Sequence, residues 1–178
     1  MPSQSSIYRK IQVVLDLAKS VKVHTLAELQ AEVKGQRPPN FLSRRYDDSK
    51  DAFVLDVSDK SIRRTVAFCQ LLGLLNQQGS LTKEGRQALR PSEFDTVIAV
   101  QIRSYLRRED VDLSSLNSII LEGLQNDTPV IPTCRYLWEN SGQRMNYGVF
   151  SRILTLLAQC GGAQSSQKRM YLRFNEVE

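Results

Sequence analysis

Leu72-Gly73-Leu74-Leu75-Asn76-Gln77-Gln78-Gly79-Ser80-Leu81-Thr82-Lys83-Glu84-Gly85-Arg86 is the most specific local pattern in the chain. Gly73 ends a helix, Leu74-Leu75 and Ser80-Leu81-Thr82 are short strand candidates, and Asn76-Gln77-Gln78-Gly79 supplies a hairpin turn. Thr82 then stands where a helix beginning at Lys83 needs its N-cap. Immediately upstream, Ser58 or Asp59 opens a helix in which Ile62, Val66, Cys69 and Gly73 recur at i, i+4, i+7 and i+11. That spacing makes one inward stripe. The opposite side carries Lys60, Arg64 and Ala67, flanked by Arg63, so this helix offers a basic and sterically open outer face.

Working toward the N-terminus, Ile7, Ile11, Val14, Leu15 and Ala18 mark an amphipathic helix from Ile7 to Lys19. Thr25-Leu-Ala-Glu28 has the form of a capping box and starts a second helix over about Leu26 to Val33. Gly35 is expected to end it, and Pro38-Pro39 to forbid its resumption. Residues 35–57 then read as an irregular insertion, with Arg37, Arg44 and Arg45 followed by Asp47, Asp48 and Asp51, and with Ala52–Val57 as a short strand or buried tether. The order is helix, helix, helix, small hairpin. On this pattern residues 6–90 resemble a winged helix-turn-helix domain, and LGLLNQQGSLTKEGRQAL is similar to the helix-to-wing passage of many bacterial and archaeal winged-helix regulators. The resemblance implies that the third helix is the recognition helix and the hairpin its wing. The insertion replaces the tight turn that such domains have between their second and third helices.

Beyond Pro91 the order repeats without detectable sequence identity. Phe94 to Arg107 and Asp112 to Leu124 have helical apolar spacing and read as linking helices over residues 91–127. Thr133 to Glu139 is a short helix holding the single tryptophan, Trp138, and Asn146 caps another with Phe150, Ile153, Leu154 and Leu157 inward. Its outward side carries Gly148, Ser151, Arg152, Thr155 and Gln159. Gly161-Gly162 ends that helix, and Lys168 to Phe174 alternates as a wing strand does. Residues 128–178 therefore read as a second winged-helix-like module. The expected fold class is mainly α with small β-hairpins, arranged as tandem winged-helix modules.

Composition narrows the function. The 178 residues are 41% hydrophobic and 24% charged, a balance that supports a buried core. No apolar run approaches the roughly 20 residues of a membrane span, and no secretory h-region follows the N-terminal charges, so a cytoplasmic or nuclear location is expected. Cys69, Cys134 and Cys160 have no CxxC spacing, which argues against a zinc site or disulfide framework; two of them fall in helices as small hydrophobes. His24, the only histidine, sits before a helix start, and GxSxG, GxGxxG, GxxxxGK[ST] and HExxH are all missing from the chain. An enzyme is the weakest class, and no cofactor is indicated. Asp56-Val-Ser-Asp-Lys60 loosely fits a nuclease carboxylate pair, yet Ser58-Asp59 reads more simply as a helix cap. Trp138, Tyr147 and Phe150 read as packing residues rather than stacking platforms.

The formal charge is +5. Residues 1–94 hold 15 basic and 10 acidic side chains, whereas residues 95–178 hold 9 of each. Within the second half, residues 135–173 carry six basic side chains against Glu139 alone. Basic character thus concentrates in both helix-and-wing regions, as phosphate neutralisation requires. Arginine, lysine, asparagine and glutamine on an exposed helix can also read base edges. The candidate DNA-binding residues are Lys60, Arg63 and Arg64 on the first helix, with Asn76, Gln77 and Gln78 at its wing tip. In the second module they are Ser151, Arg152, Thr155 and Gln159, with Lys168 and Arg169 in the wing. The leading expectation is a double-stranded DNA binder, a transcriptional regulator or DNA-docking subunit; the alternative is a winged-helix protein-interaction scaffold in a larger assembly. A homodimer through the Val97–Leu106 stripe is the other partner expected, although that stripe serves equally well as core.

Overall fold

The computed structural model describes residues 5–20, 23–165 and 170–176. Its contacts divide the chain into two units, Met1–Pro91 and Ser92–Glu178. The fold is mainly α with small β-hairpins: eight α-helices and two antiparallel two-stranded sheets occur among the described residues.

The first unit contains α1 (Ser6–Ala18), α2 (Leu26–Gln36), a 3-10 turn at Pro39–Phe41, β1 (Leu42–Asp47), β2 (Ala52–Val57), α3 (Asp59–Leu71) and α4 (Lys83–Ala88). Side chains start these helices as their sequences require. Ser5 accepts from the Tyr8 amide, Thr25 and Glu28 form the reciprocal capping box, and Ser58 accepts from the Ser61 amide. α2 does not stop at Gly35; it continues to Gln36 and ends where Arg37 takes a left-handed φ of 47° ahead of Pro38. Proline, which disfavours helical backbone in the residue before it, is the stronger stop signal. Helices α1, α2 and α3 pack pairwise around Ile11, Val14, Leu15, Leu29, Val33, Ile62, Val66 and Cys69, all buried. Each of the aliphatic side chains among them contributes roughly 1.5–3 kcal/mol by leaving water.

The β-structure of this unit lies elsewhere than expected. Residues 42–57, read as an irregular insertion, form a ribbon of six facing pairs from Leu42–Val57 to Asp47–Ala52. Its base is tied to the core by the Ser58 amide, which donates to Phe41 O at 3.0 Å. Ala52–Val57 is a strand, as one of the two readings had it, but only Val57 in it is buried. The passage after α3 is not a ribbon: a single bridge joins Leu75 to Leu81 around a tight turn. The turn is fixed by close backbone approach. A Cβ on Gly85 would lie 2.0 Å from the Leu74 carbonyl oxygen, so only glycine fits there.

The second unit contains α5 (Phe94–Arg108), α6 (Leu113–Gln125), α7 (Cys134–Asn140), α8 (Tyr147–Gln159), β3 (Ala163–Ser165) and β4 (Tyr171–Phe174). Helices α5 and α6 do not stand apart as linkers: α5 packs on α8, and α6 on β4 and α7. The Val97–Leu106 stripe belongs to this core: Ile98, Ile102 and Leu106 are buried, as are Phe150, Ile153 and Leu157 of α8, the helix on which α5 packs. Asn117, buried in α6, serves as a strand edge for β4. Its Nδ2 donates to Phe174 O at 3.0 Å, and its Oδ1 accepts from the Phe174 amide at 2.6 Å. Asn146 caps α8 as its sequence indicates. The Trp138 indole donates to Met145 O at 2.7 Å and packs edge-on to Tyr147, and Phe150 is buried.

Candidate nucleic-acid interface

Helix α3 sorts its side chains cleanly. Ile62, Thr65, Val66, Phe68 and Cys69 are buried, which turns Lys60, Arg63, Arg64 and Ala67 to the outside at i, i+3, i+4 and i+7. All four are exposed. The one acid of the first turn, Asp59, is held by Lys34 of α2 at 3.1 Å. Among the described residues, Lys60, Arg63 and Arg64 make no ion pair. Lys10 of α1 reaches the same end of α3 and donates to the Ser61 hydroxyl at 2.8 Å. Lys10, Lys34, Lys60, Arg63 and Arg64 thus lie on or against the first two turns of α3, where Asp59 is paired with Lys34.

The 76–80 turn is clamped to the end of this helix. Gln70 Nε2 donates to the carbonyls of Asn76 and Gln77, at 3.0 and 3.3 Å. Asn76 Oδ1 accepts from the amides of Gln78 and Ser80, so the oxygen of this side chain is spent on building the turn. Gln77 and Gln78 are exposed. Behind the turn, Lys83, Arg86, Gln87 and Arg90 line a groove of about 500 Å³. Lys83, Arg86 and Arg90 stand at i, i+3 and i+7 on and just beyond α4. The spacing was legible in the sequence, but it reads as charge beyond a wing unless the hairpin is known to be a single bridge.

The second unit presents a different picture. Ser151, Arg152, Thr155 and Gln159 lie on the expected side of α8, but all four are half-buried, in a helix against which α5, α7 and β3 all pack. The Thr155 hydroxyl donates back to Ser151 O at 2.8 Å. Lys168 and Arg169 lie outside the described residues. Arg135, on α7, is stacked over Trp138 and Tyr147 and paired with Glu139 at 2.8 Å. A cavity of about 510 Å³ in this unit has Arg103 and Arg107 in its walls together with Asp110, Asp112 and Glu176, so its acids outnumber its bases and it is no polyanion site.

Two further sets of titratable groups are accounted for by structure. Asp56 is held below the ordinary carboxylate range foremost by the Val57 amide and then by Arg45 and Arg37, its ion-pair partners at 2.8 and 3.2 Å. Asp56 and Asp59 thus answer to different cations. Burial pushes the Cys69 thiol up to about 12, and burial with Asp95 nearby does the same for Cys160, so neither is a thiolate at neutral pH.

A scan against protein-family models, a search of curated proteins and a search of solved structures each found no match. No helix among the described residues is long and apolar enough to cross a membrane.

Proposed function

We propose that the protein binds double-stranded DNA through its first unit, with the exposed stripe of α3 facing the duplex. One observation carries this reading: Lys60, Arg63 and Arg64 share one open helix face with no carboxylate partner among the described residues. Surface cations are ordinarily solvated or paired at random. Three on one turn and a half of helix, with the neighbouring acid neutralised by Lys34, make a site for phosphates and for guanine edges. Gln77 and Gln78 flank the far end of the helix and supply amide donors and acceptors. Lys83, Arg86 and Arg90 make a second basic stripe in the same unit. The second unit, with α8 half-buried, is not given a base-reading role. A regulator or DNA-docking subunit of a larger assembly, working in the cytoplasm or nucleus, is the role that fits such an activity.

A second reading is favoured by a separate observation. The β1–β2 ribbon exposes Tyr46, Phe53 and Leu55, and large apolar side chains grouped in this way mark protein contacts. The two readings use different surfaces of the same unit. Titration of a labelled duplex distinguishes them. Lys60→Ala, Arg63→Ala and Arg64→Ala together are expected to weaken binding at least tenfold, and Lys83→Ala with Arg86→Ala by less. Equal losses would move the interface to α4, and absence of binding by the wild-type chain would leave only the protein-contact reading.

A further inference from the structure

The register of the ribbon places Leu42, Arg44 and Tyr46 on one face with Val57, Leu55 and Phe53. On that face Tyr46, Phe53 and Leu55 are 47%, 60% and 62% exposed. Tyr46 and Phe53 meet edge to face at 5.3 Å, and the Arg44 guanidinium lies 4.3 Å from the centre of the Phe53 ring. The opposite face needs nothing further: Asp56 is shared by Arg37 and Arg45. Neither strand packs substantially on a helix of its own unit. A two-stranded ribbon alone is marginal in water, and one that shows three large apolar side chains to solvent gains stability from any surface that covers them.

The charges choose the cover. The tip carries Asp47, Asp48 and Asp51 against Lys50 alone, which repels phosphate and acidic membrane surfaces. Nearer the base the same face carries Arg44. Among the described residues neither Arg44 nor Asp48 has an ion-pair partner. The ribbon is therefore basic toward one end, acidic at the other, and aromatic between. Such a face is complementary to itself turned end for end, the relation that a twofold axis imposes.

We propose that this face is a self-association surface, occupied by the ribbon of a second copy of the chain. The two ribbons lie antiparallel, with Tyr46 and Phe53 of each packed about the twofold axis and Arg44 of each against Asp48 of the other. A ribbon about 20 Å long offers less than the roughly 800 Å² per partner of a standard stable interface. The dimer is accordingly weak, with dissociation in the micromolar range or above. The inference rests on the protein-contact reading of this ribbon and is independent of DNA binding.

Sedimentation of the full chain without DNA, from about 1 μM to about 1 mM, tests it. The expected result is a reversible monomer–dimer equilibrium that Phe53→Ser shifts to monomer. Arg44→Asp and Asp48→Arg are each expected to raise the dissociation constant about tenfold. The double variant R44D/D48R is expected to recover most of that loss, because it rebuilds the pair with its sense reversed. The charge variants lie at exposed sites and leave the helical circular dichroism unchanged. A chain monomeric throughout, a dimer indifferent to Phe53→Ser, or a double variant as weak as the sum of its parts each overturns the proposal.

Discussion

Replacing Gly85 by alanine tests the passage from α3 to α4 at its tightest point. The new Cβ would lie 2.0 Å from the Leu74 carbonyl oxygen and 3.2 Å from Leu81 Cδ2. The first of these is backbone and cannot rotate aside. Relief requires the first turn of α4 to move away, which breaks the bond from the Gly85 amide to Thr82 Oγ1 at 3.0 Å. It also strains the bond from the Thr82 hydroxyl to Gly73 O at 2.7 Å. Losing a cap of this kind costs about 1 kcal/mol, and overpacking adds about 1–3 kcal/mol. The better helix propensity of alanine offsets about 1 kcal/mol. The net expectation is a loss of about 2 kcal/mol. Gly35 provides the control. It lies within α2, and a Cβ added to it would meet no atom within 4 Å, so Gly35→Ala is expected to stabilise by about 0.5–1 kcal/mol. Urea denaturation followed by circular dichroism measures both, and hydrogen exchange over residues 69–89 localises the first. A Gly85→Ala protein as stable as the wild type, or more so, refutes the packing described for this turn.

Two other outcomes follow from the same kind of reasoning. In the second unit, Asn117→Ala strands the amide and carbonyl of Phe174 that its side chain satisfies, at a cost of about 1–3 kcal/mol. Trp138, the single tryptophan, lies in that unit, so its fluorescence should report an earlier urea midpoint; an unchanged midpoint contradicts the assigned role. Acid should weaken both units at their helix caps. Glu28 is held below its ordinary 4.5 chiefly by the His24 amide, and Asp112 below its ordinary 3.8 chiefly by the Ser114 hydroxyl. Folded values lower than unfolded ones mean that the contribution is complete above the ordinary values and is lost as pH falls through the lower, folded ones. The urea midpoint should therefore fall as pH drops below about 5, and the fall should be shallower in E28Q/D112N. An equal pH dependence in that variant would remove these two caps from the account.

What was legible in the sequence was local. The capping box at Thr25 and Glu28, the caps at Ser58, Thr82 and Asn146, and the apolar spacing of α1, α3 and α5 are interactions within a few residues, and all are present. The ribbon was hidden because Leu42-Ser-Arg-Arg-Tyr-Asp has no alternation of apolar and polar residues: with both faces largely exposed, no buried side imposes a period of two. The Leu74-Leu75 and Ser80-Leu81-Thr82 segments have strand-like composition, yet the turn between them is pulled tight by Gln70, Asn76 and Gly85. On α3 the open basic face follows from its own inward stripe and is found where the sequence puts it. On α8 the same inference gives half-buried residues, because three elements, α5, α7 and β3, pack against this one helix and leave little of it to solvent. Helical spacing tells which side faces the first neighbour and carries no information about the next one.

The central claim is tested most directly by the salt dependence of duplex binding. The wild-type chain is expected to bind with an affinity that falls linearly in log–log form as salt rises, and Lys60→Ala, Arg63→Ala and Arg64→Ala together are expected to reduce that slope by up to about 2.7, the contribution of three phosphate contacts. Binding that is absent, indifferent to salt, or of unaltered slope in the triple variant would contradict the account.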